Sequence, residues 1–145
     1  MIFVENNRSL ELNIKSYQFP NERTINKEYN HDANWLVCEI KYSENDFTEV
    51  YSDACLLTCE LEELADALLK ILNGDDSGYI SDLIEPYLNI SIAKAGEKVV
   101  FIVHYVYDTS NGIWRKRKVT SLVDKEYATH ILHELVELQK KYPQR

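Results

Sequence analysis

The stretch DACLLTCELEELADALLKILNG, residues 53–74, carries the strongest helix signal in the chain. At 3.6 residues per turn, five apolar residues fall on one side of such a helix: Leu61, Leu64, Ala65, Leu68 and Leu72. The opposite side carries Glu62, Glu63, Asp66 and Lys70. Thr58 is predicted as the N-cap and Gly74 as the C′ residue. The stretch therefore predicts an amphipathic helix with an acidic outer face.

Alternating apolar and polar residues predict strands before this helix. Residues 2–4 and 10–14 are predicted to form one hairpin, and residues 36–42 and 47–51 a second. The polar, aperiodic residues 20–32 between them are predicted to form a loop. Whether this loop becomes ordered when a partner binds is left open by the sequence.

Further strands are predicted after the helix, at residues 88–92, 98–107 and 114–123. Residues 98–107 are apolar on both faces and therefore predict a central strand. The pair Asn111-Gly112 tolerates the positive φ of a hairpin turn. Asp124 is predicted to cap a last helix that ends before Pro143. One side of that helix carries Ala128, Ile131, Leu132, Leu135, Gln139 and Tyr142.

This order of elements predicts an α+β fold. Because hairpins pair antiparallel, we expect a mostly antiparallel sheet of about seven strands with the two amphipathic helices packed on it. A chain of 145 residues with 45% hydrophobic residues is of the usual size for one domain, residues 1–145.

The charge distribution is uneven along the chain. The net charge is −8, and residues 1–72 account for all of it with fourteen acids and six bases. Nucleic-acid binders usually carry an excess of Lys and Arg, so we expect no nucleic-acid partner. We also expect no membrane contact, because no long apolar run is present. Three cysteines cannot all pair within the chain, which favours a reducing cytoplasm.

Cys55 and Cys59, with Cys38, are candidate zinc or redox residues. Structural zinc sites have four ligands, usually including a second close pair of Cys or His, and the sequence has no such pair. Since free cysteine is among the most buried residue types, we expect these residues to pack in the core. No cofactor and no metal are predicted.

A second candidate metal site is HILHELVE, residues 130–137. His130, His133, Glu134 and Glu137 would share one face of the last helix. Their pattern resembles a zincin motif that has Glu137 in place of the second histidine. A small metal-dependent hydrolase is the alternative function, but a solvated helix face with His/Glu pairs explains the pattern without a metal. We predict that the protein is not an enzyme.

The basic run WRKRKV, residues 114–119, follows the last predicted hairpin turn. A phosphate-binding arm would need support from the charge of the whole surface, which is absent here. A solvated hairpin tip, or a contact with the acidic half of the same chain, is the preferred interpretation.

The acidic cluster remains as the functional signal. Between Glu39 and Asp66 there are nine acids and one base, Lys41. Acids in the first turn of a helix are favoured by its dipole, each by about 0.3–1 kcal/mol, but this does not explain the acids elsewhere. Such a concentration of charge is typical of a surface that attracts a basic protein.

Four segments in order resemble the WapI-like immunity proteins of bacterial polymorphic toxin systems. They are NWLVCEIKY (34–42), DACLLTCELEELADALLKIL (53–72), LIEPYLNISI (83–92) and KVVFIVHYVY (98–107). The resemblance covers about residues 33–107. It implies a cytoplasmic antidote that binds the toxic C-terminal domain of a cell-wall-associated or secreted toxin, often a nuclease. It supplies no catalytic residues.

The predicted partner is thus a basic toxin domain, and the oligomeric state is left open. Charge and expected exposure select the candidate partner-binding residues: Glu60, Glu62, Glu63, Asp66, Asp75, Asp76, Asp46 and Glu49. Glu85, beside Pro86, could touch a partner or accept local backbone N–H groups, and the second role is favoured.

Overall fold

The computed structural model of the chain describes residues 1–23 and 29–145. The strands are β1 (Ile2–Glu5), β2 (Arg8–Tyr17), β3 (Trp35–Glu44), β4 (Phe47–Leu57), β5 (Gly78–Ile80), β6 (Leu88–Ala95), β7 (Lys98–Asp108) and β8 (Arg115–Val123). The helices are α1 (His31–Asn34), α2 (Thr58–Asn73) and α3 (Lys125–Lys141), and a short 3₁₀ turn covers Ser110–Gly112.

The strands form two antiparallel sheets, one in the order β1-β2-β3-β4 and the other in the order β5-β6-β7-β8. The predicted α+β class is confirmed, but the described residues form eight strands in two sheets rather than about seven in one. The sheets meet where β1 lies beside β8. There the backbone N–H groups of Val4 and Thr120 bond to the side chains of Ser121 and Glu5 and not to a backbone carbonyl of the neighbouring strand, so the ladder is interrupted.

Asparagines occupy three of the hairpin turns. Asn6, Asn45 and Asn111 have φ values of 52°, 51° and 59°, the left-handed region that asparagine tolerates better than most residues. Asn111 precedes Gly112, with φ 71°, so the predicted Asn-Gly turn between β7 and β8 is confirmed. β7 pairs with both β6 and β8, which also confirms it as an interior strand.

Several boundaries differ from the sequence prediction. Strand β4 continues to Leu57, so residues 53–57 are strand rather than an approach to the helix. A bulge opposite Leu36 and Val37 lets Cys55, Leu56 and Leu57 all become buried. In the predicted loop 20–32, residues 24–28 lie outside the described residues, while His31 and Asp32 belong to α1.

Helix α2 ends as predicted at Gly74, whose φ of 85° suits glycine. Its start differs, because Leu57 is the N-cap and Thr58 is the first helical residue. The Thr58 hydroxyl instead donates to Oδ1 of buried Asn34, at 2.9 Å. The predicted apolar stripe is buried except for Leu72, which is only partly buried. Ile71, which was not predicted in the stripe, is buried instead.

Helix α3 also follows its prediction. Asp124 Oδ1 accepts the backbone N–H of Tyr127 at 2.8 Å and so caps the helix. Ala128, Ile131 and Leu135 are buried. Buried residues of both sheets, α2 and α3 form one hydrophobic cluster. Phe3 of the first sheet and Phe101 of the second are in contact within it, with ring centroids 5.4 Å apart. Within the described residues, no helix is both long and apolar enough to cross a membrane.

Candidate partner-binding surface

The outer side of α2 presents Glu62, Glu63 and Asp66 to solvent, and we call these three residues the acidic face. The apolar stripe on the other side packs into the core and so fixes which way the acids point. The predicted exposure of these three residues is therefore confirmed. Whether they bind a partner remains a prediction.

Glu60 differs from its neighbours because it is buried, with 4% of its surface exposed. Its two oxygens accept the backbone N–H groups of Leu57 and Ile84, both at 2.7 Å. Burial raises the pKa of the Glu60 carboxyl, and nearby Glu63 and Glu85 raise it further against the lowering effect of these two bonds. Glu60 thus joins the start of α2 to the segment before β6, and it is not accessible to a partner.

The segment between β5 and β6, residues 81–87, adds side chains that the sequence analysis did not select. Asp82 and Ile84 of this segment are exposed, Ile84 at 57%. Ile80, the last residue of β5, is also exposed, at 75%. Burial raises the pKa of Tyr79, and the charges of Glu63, Glu60 and Asp82 raise it further. In the sequence, apolar residues stand next to acids in this segment. That combination is the signal that could have identified it.

Asp75 and Asp76 are exposed just beyond the other end of α2. Asp76 Oδ1 accepts the backbone N–H groups of Ser77 and Gly78, so part of its role is to hold the turn. Because eleven positions separate Glu62 from the last helical residue, Asn73, about 17 Å of helix lies between the start of the acidic face and this pair. The predicted residues therefore form two acidic regions along α2 rather than one cluster.

Asp46 is exposed in the turn between β3 and β4, whereas Glu49 in β4 is half-buried. Glu49 Oε1 accepts bonds from the Arg117 Nε, at 2.8 Å, and from the Tyr105 hydroxyl. The bond from Arg117 lowers the pKa of the Glu49 carboxyl more than burial raises it. Glu49 is thus engaged in an internal ion pair, which argues against its predicted role in partner binding.

The basic run 114–119 divides between internal and exposed roles. Arg117 contacts the acidic half of the chain through Glu49, which confirms that interpretation for this residue. Trp114 stacks on Tyr87 with ring centroids 5.7 Å apart. Arg115 lies 3.6 Å from Asp108 Oδ2, while Lys116 is exposed.

The cysteines behave as core residues with one exception. Cys38 and Cys55 are free and buried, as predicted. The hydrogen bond with Cys38, together with burial, raises the pKa of the Cys55 thiol, so that it remains protonated. Cys59 is half-buried, and its sulfur accepts a hydrogen bond from the Tyr29 hydroxyl at 3.2 Å.

On α3, candidate metal residues pair with neighbours on the helix, and Glu134 also pairs with the N-terminal ammonium group of Met1 at 3.2 Å. His130 Nε2 lies 3.5 Å from Glu134, and Glu137 pairs with Lys140 at 2.6 Å. In the part of the chain that the structure describes, no group of three or more His, Cys, Asp or Glu residues is arranged to hold a metal ion. Nothing in this geometry favours the hydrolase alternative.

Family comparison gives the functional context of this surface. The model of the immunity protein WapI-like family matches residues 1–143. The chain belongs to the WapI-like immunity protein family. No curated protein and no solved structure matches the chain in the same comparisons. Membership of the WapI-like family indicates an immunity role in which the partner is a toxin protein.

Proposed function

We propose that this protein is a cytoplasmic antidote that binds the C-terminal toxin domain of a polymorphic toxin and blocks it without catalysis. The observation that carries the proposal is the family match over residues 1–143. Immunity proteins act by occupying their toxin, so the relevant property of the chain is the surface it offers. No metal or cofactor is part of the proposal.

The surface that we propose for the toxin is the acidic face with the adjacent segment 81–87. Exposed Ile80 and Ile84 supply apolar contact area, and the surrounding carboxylates supply a field that attracts a basic domain. Asp75 and Asp76, beyond the end of α2, and Asp46, in the turn between β3 and β4, are exposed and add negative charge at a distance from this surface. Glu60 and Glu49 are excluded from this surface because internal bonds occupy them.

The proposed toxin domain is basic, and a nuclease fits this charge. Nucleases bind polyanions through Lys and Arg, so a surface of carboxylates can occupy the place of the phosphates. Electrostatic complementarity of this kind accelerates association and rejects partners of the wrong charge.

The test is co-expression with the toxin end encoded by the neighbouring upstream gene. Cells that express this toxin domain should survive when they also produce the antidote, and the two chains should purify as a stable complex. The matched control is an antidote variant carrying Leu68→Asp, which places a charge in the core and should not protect. Death of cells that contain soluble wild-type antidote and its neighbouring toxin would overturn the proposal.

A further inference from the structure

A small cavity lies where the free edge of the first sheet meets the end of β7. It is lined by Tyr51 and Asp53 of β4, by Tyr87 before β6, and by residues 106–109. Its volume is about 180 Å³, below the usual 300–1,000 Å³ of a small-molecule site and suited to one side chain. We call it the tyrosine pocket.

Aromatic rings and carboxylates make up the walls of the tyrosine pocket. Tyr51, Tyr87 and Tyr107 are each half-buried. Asp53 and Asp108 supply negative charge, and among the described residues that line the pocket none is basic. Tyrosine faces and carboxylates both attract cations, so the lining selects a positively charged group.

The walls are held in place by contacts within the pocket and with its neighbours. Tyr87 stacks on Trp114 with an interplanar angle of 16°. The Tyr51 hydroxyl donates to Asp53 Oδ2 at 3.0 Å, and Asp53 Oδ1 accepts the backbone N–H of Ala54. A site whose side chains are already oriented loses little conformational entropy when a ligand enters.

A carboxylate and aromatic rings already bind a guanidinium elsewhere in this molecule, at Arg117. Arg117 donates to Glu49, and its guanidinium carbon lies 4.4 Å from the ring centroid of Tyr107. Tyr42 and Phe47 have their ring centroids 5.2 and 5.1 Å from that carbon. Tyr107 belongs both to this internal site and to the lining of the tyrosine pocket, so the two sites are neighbours with like composition.

The pocket also differs from the internal site in its charge balance. Glu49 is matched by Arg117, but Asp53 in the tyrosine pocket has no basic partner among the ion pairs of the described residues. Asp108 is partly balanced by Arg115 at 3.6 Å. One uncompensated carboxylate facing tyrosine rings favours one incoming cation.

We propose that the tyrosine pocket receives a single arginine side chain of the toxin domain, held by Asp53 and the faces of the tyrosines. The proposal rests on the proposed function for the identity of the partner and on the pocket's own geometry for the chemistry. The bound arginine would add a specific contact to the long-range attraction exerted by the acidic face. An arginine in this position would anchor the complex and slow its dissociation.

The first test uses N-acetyl-arginine amide as the probe, without the toxin. Amide resonances of Asp53, Tyr87 and residues 106–109 should shift with a dissociation constant of about tens to hundreds of millimolar, as expected for one cation–π contact and one exposed ion pair. The uncharged isostere N-acetyl-citrulline amide should leave them unshifted. Equal shifts with both probes, or none with arginine, would overturn the proposal.

Variants of the pocket test the same contact in the complex. Asp53→Asn keeps the shape and should raise the dissociation rate of the toxin by about threefold to fivefold, the effect of one exposed ion pair. Tyr87→Ala should do the same, while Tyr87→Phe keeps the ring and should restore the wild-type rate. The matched control is Glu97→Gln, which removes one exposed acid from the turn between β6 and β7.

The two proposals fail in different ways. If the wild-type chain forms no complex, the proposed function fails, whatever the probe shows. If the complex forms but Asp53→Asn and Tyr87→Ala dissociate at the rate of Glu97→Gln, the arginine contact is wrong and the antidote role stands.

Discussion

Arg117 in β8 donates its Nε to Glu49 Oε1 in β4 at 2.8 Å and so joins the two sheets by an ion pair. The residues are 68 positions apart, and each belongs to a different half of the chain's charge distribution. Half-buried side chains and the flanking aromatic rings shield the pair from water. It should therefore stabilise the fold more than an exposed pair does.

We expect Arg117→Met to lower the free energy of unfolding by about 1.5–3 kcal/mol, because a charge-assisted bond to Glu49 is lost. Glu49→Gln should cost a similar amount, and the double variant should cost less than the sum of the two. Urea unfolding of the four proteins measures this coupling. Arg115→Met, at an exposed position, is the control. Strictly additive effects would mean that the contact contributes nothing to stability.

The same pair predicts a pH dependence. The pKa of Glu49 lies below its ordinary value of 4.5 because of the bond from Arg117, so the unfolded state binds a proton more readily than the folded state. The contribution of the ionised Glu49 to stability is complete above pH 4.5 and is lost as the pH falls through the lowered pKa. The difference in unfolding free energy between wild type and Glu49→Gln should therefore be largest at neutral pH and shrink in acid. A difference that grows in acid would contradict the assignment.

We expect substitutions of Glu60 and Glu62 to have very different effects on the free energy of unfolding. Glu60→Gln leaves one oxygen for two backbone N–H donors, those of Leu57 and Ile84, and should cost about 1–3 kcal/mol. Glu62→Gln changes an exposed side chain and should stay within about 0.5 kcal/mol. Urea unfolding of both variants measures the contrast. Equal effects would show that the buried bonds are unimportant.

Local signals in the sequence were sufficient for the end of α2 and for both ends of α3, but not for α1 or the start of α2. Asp124 caps α3 and Gly74 ends α2 because capping depends on residues within one turn. The burial of Glu60 also had a local signal, since Glu60 precedes Leu64 and Leu68 of the buried stripe by four and eight residues. That periodicity could have separated Glu60 from Glu62 and Glu63.

Long-range geometry could not be derived in the same way. The split into two sheets depends on β1 meeting β8 through side chains, and the pairing of Glu49 with Arg117 depends on how the sheets face each other. The tyrosine pocket combines Tyr51, Tyr87 and Tyr107, which are far apart in sequence. The periodicity of a single strand or helix does not show which residues of other elements will lie next to it.

Asn34 provides a further test of a buried polar contact. It is fully buried, and its Oδ1 accepts bonds from the Thr58 hydroxyl and the Arg145 backbone N–H, both at 2.9 Å. Asn34→Ala should leave these donors without that acceptor and cost about 1–3 kcal/mol in unfolding free energy. Asn7→Ala, at an exposed turn, should change it by less than about 0.5 kcal/mol. Indistinguishable midpoints of thermal unfolding would contradict this prediction.

The last prediction concerns the acidic face. Replacing Glu62, Glu63 and Asp66 by Lys should slow association with the toxin domain by about tenfold or more at low salt, because these charges are expected to steer a basic partner. The effect should shrink towards 1 M salt, where the Debye length is about 3 Å. Stopped-flow mixing at several salt concentrations measures it.

A matched control separates steering by this face from the effect of net charge. Lys at Glu97, Glu126 and Glu137 changes the total charge equally but alters exposed positions outside the acidic face. If the face itself meets the toxin, the first variant should associate more slowly than this control at the same ionic strength. Equal slowing would assign the effect to overall charge and remove α2 from the interface, whereas unchanged rates in both would rule out steering by these acids.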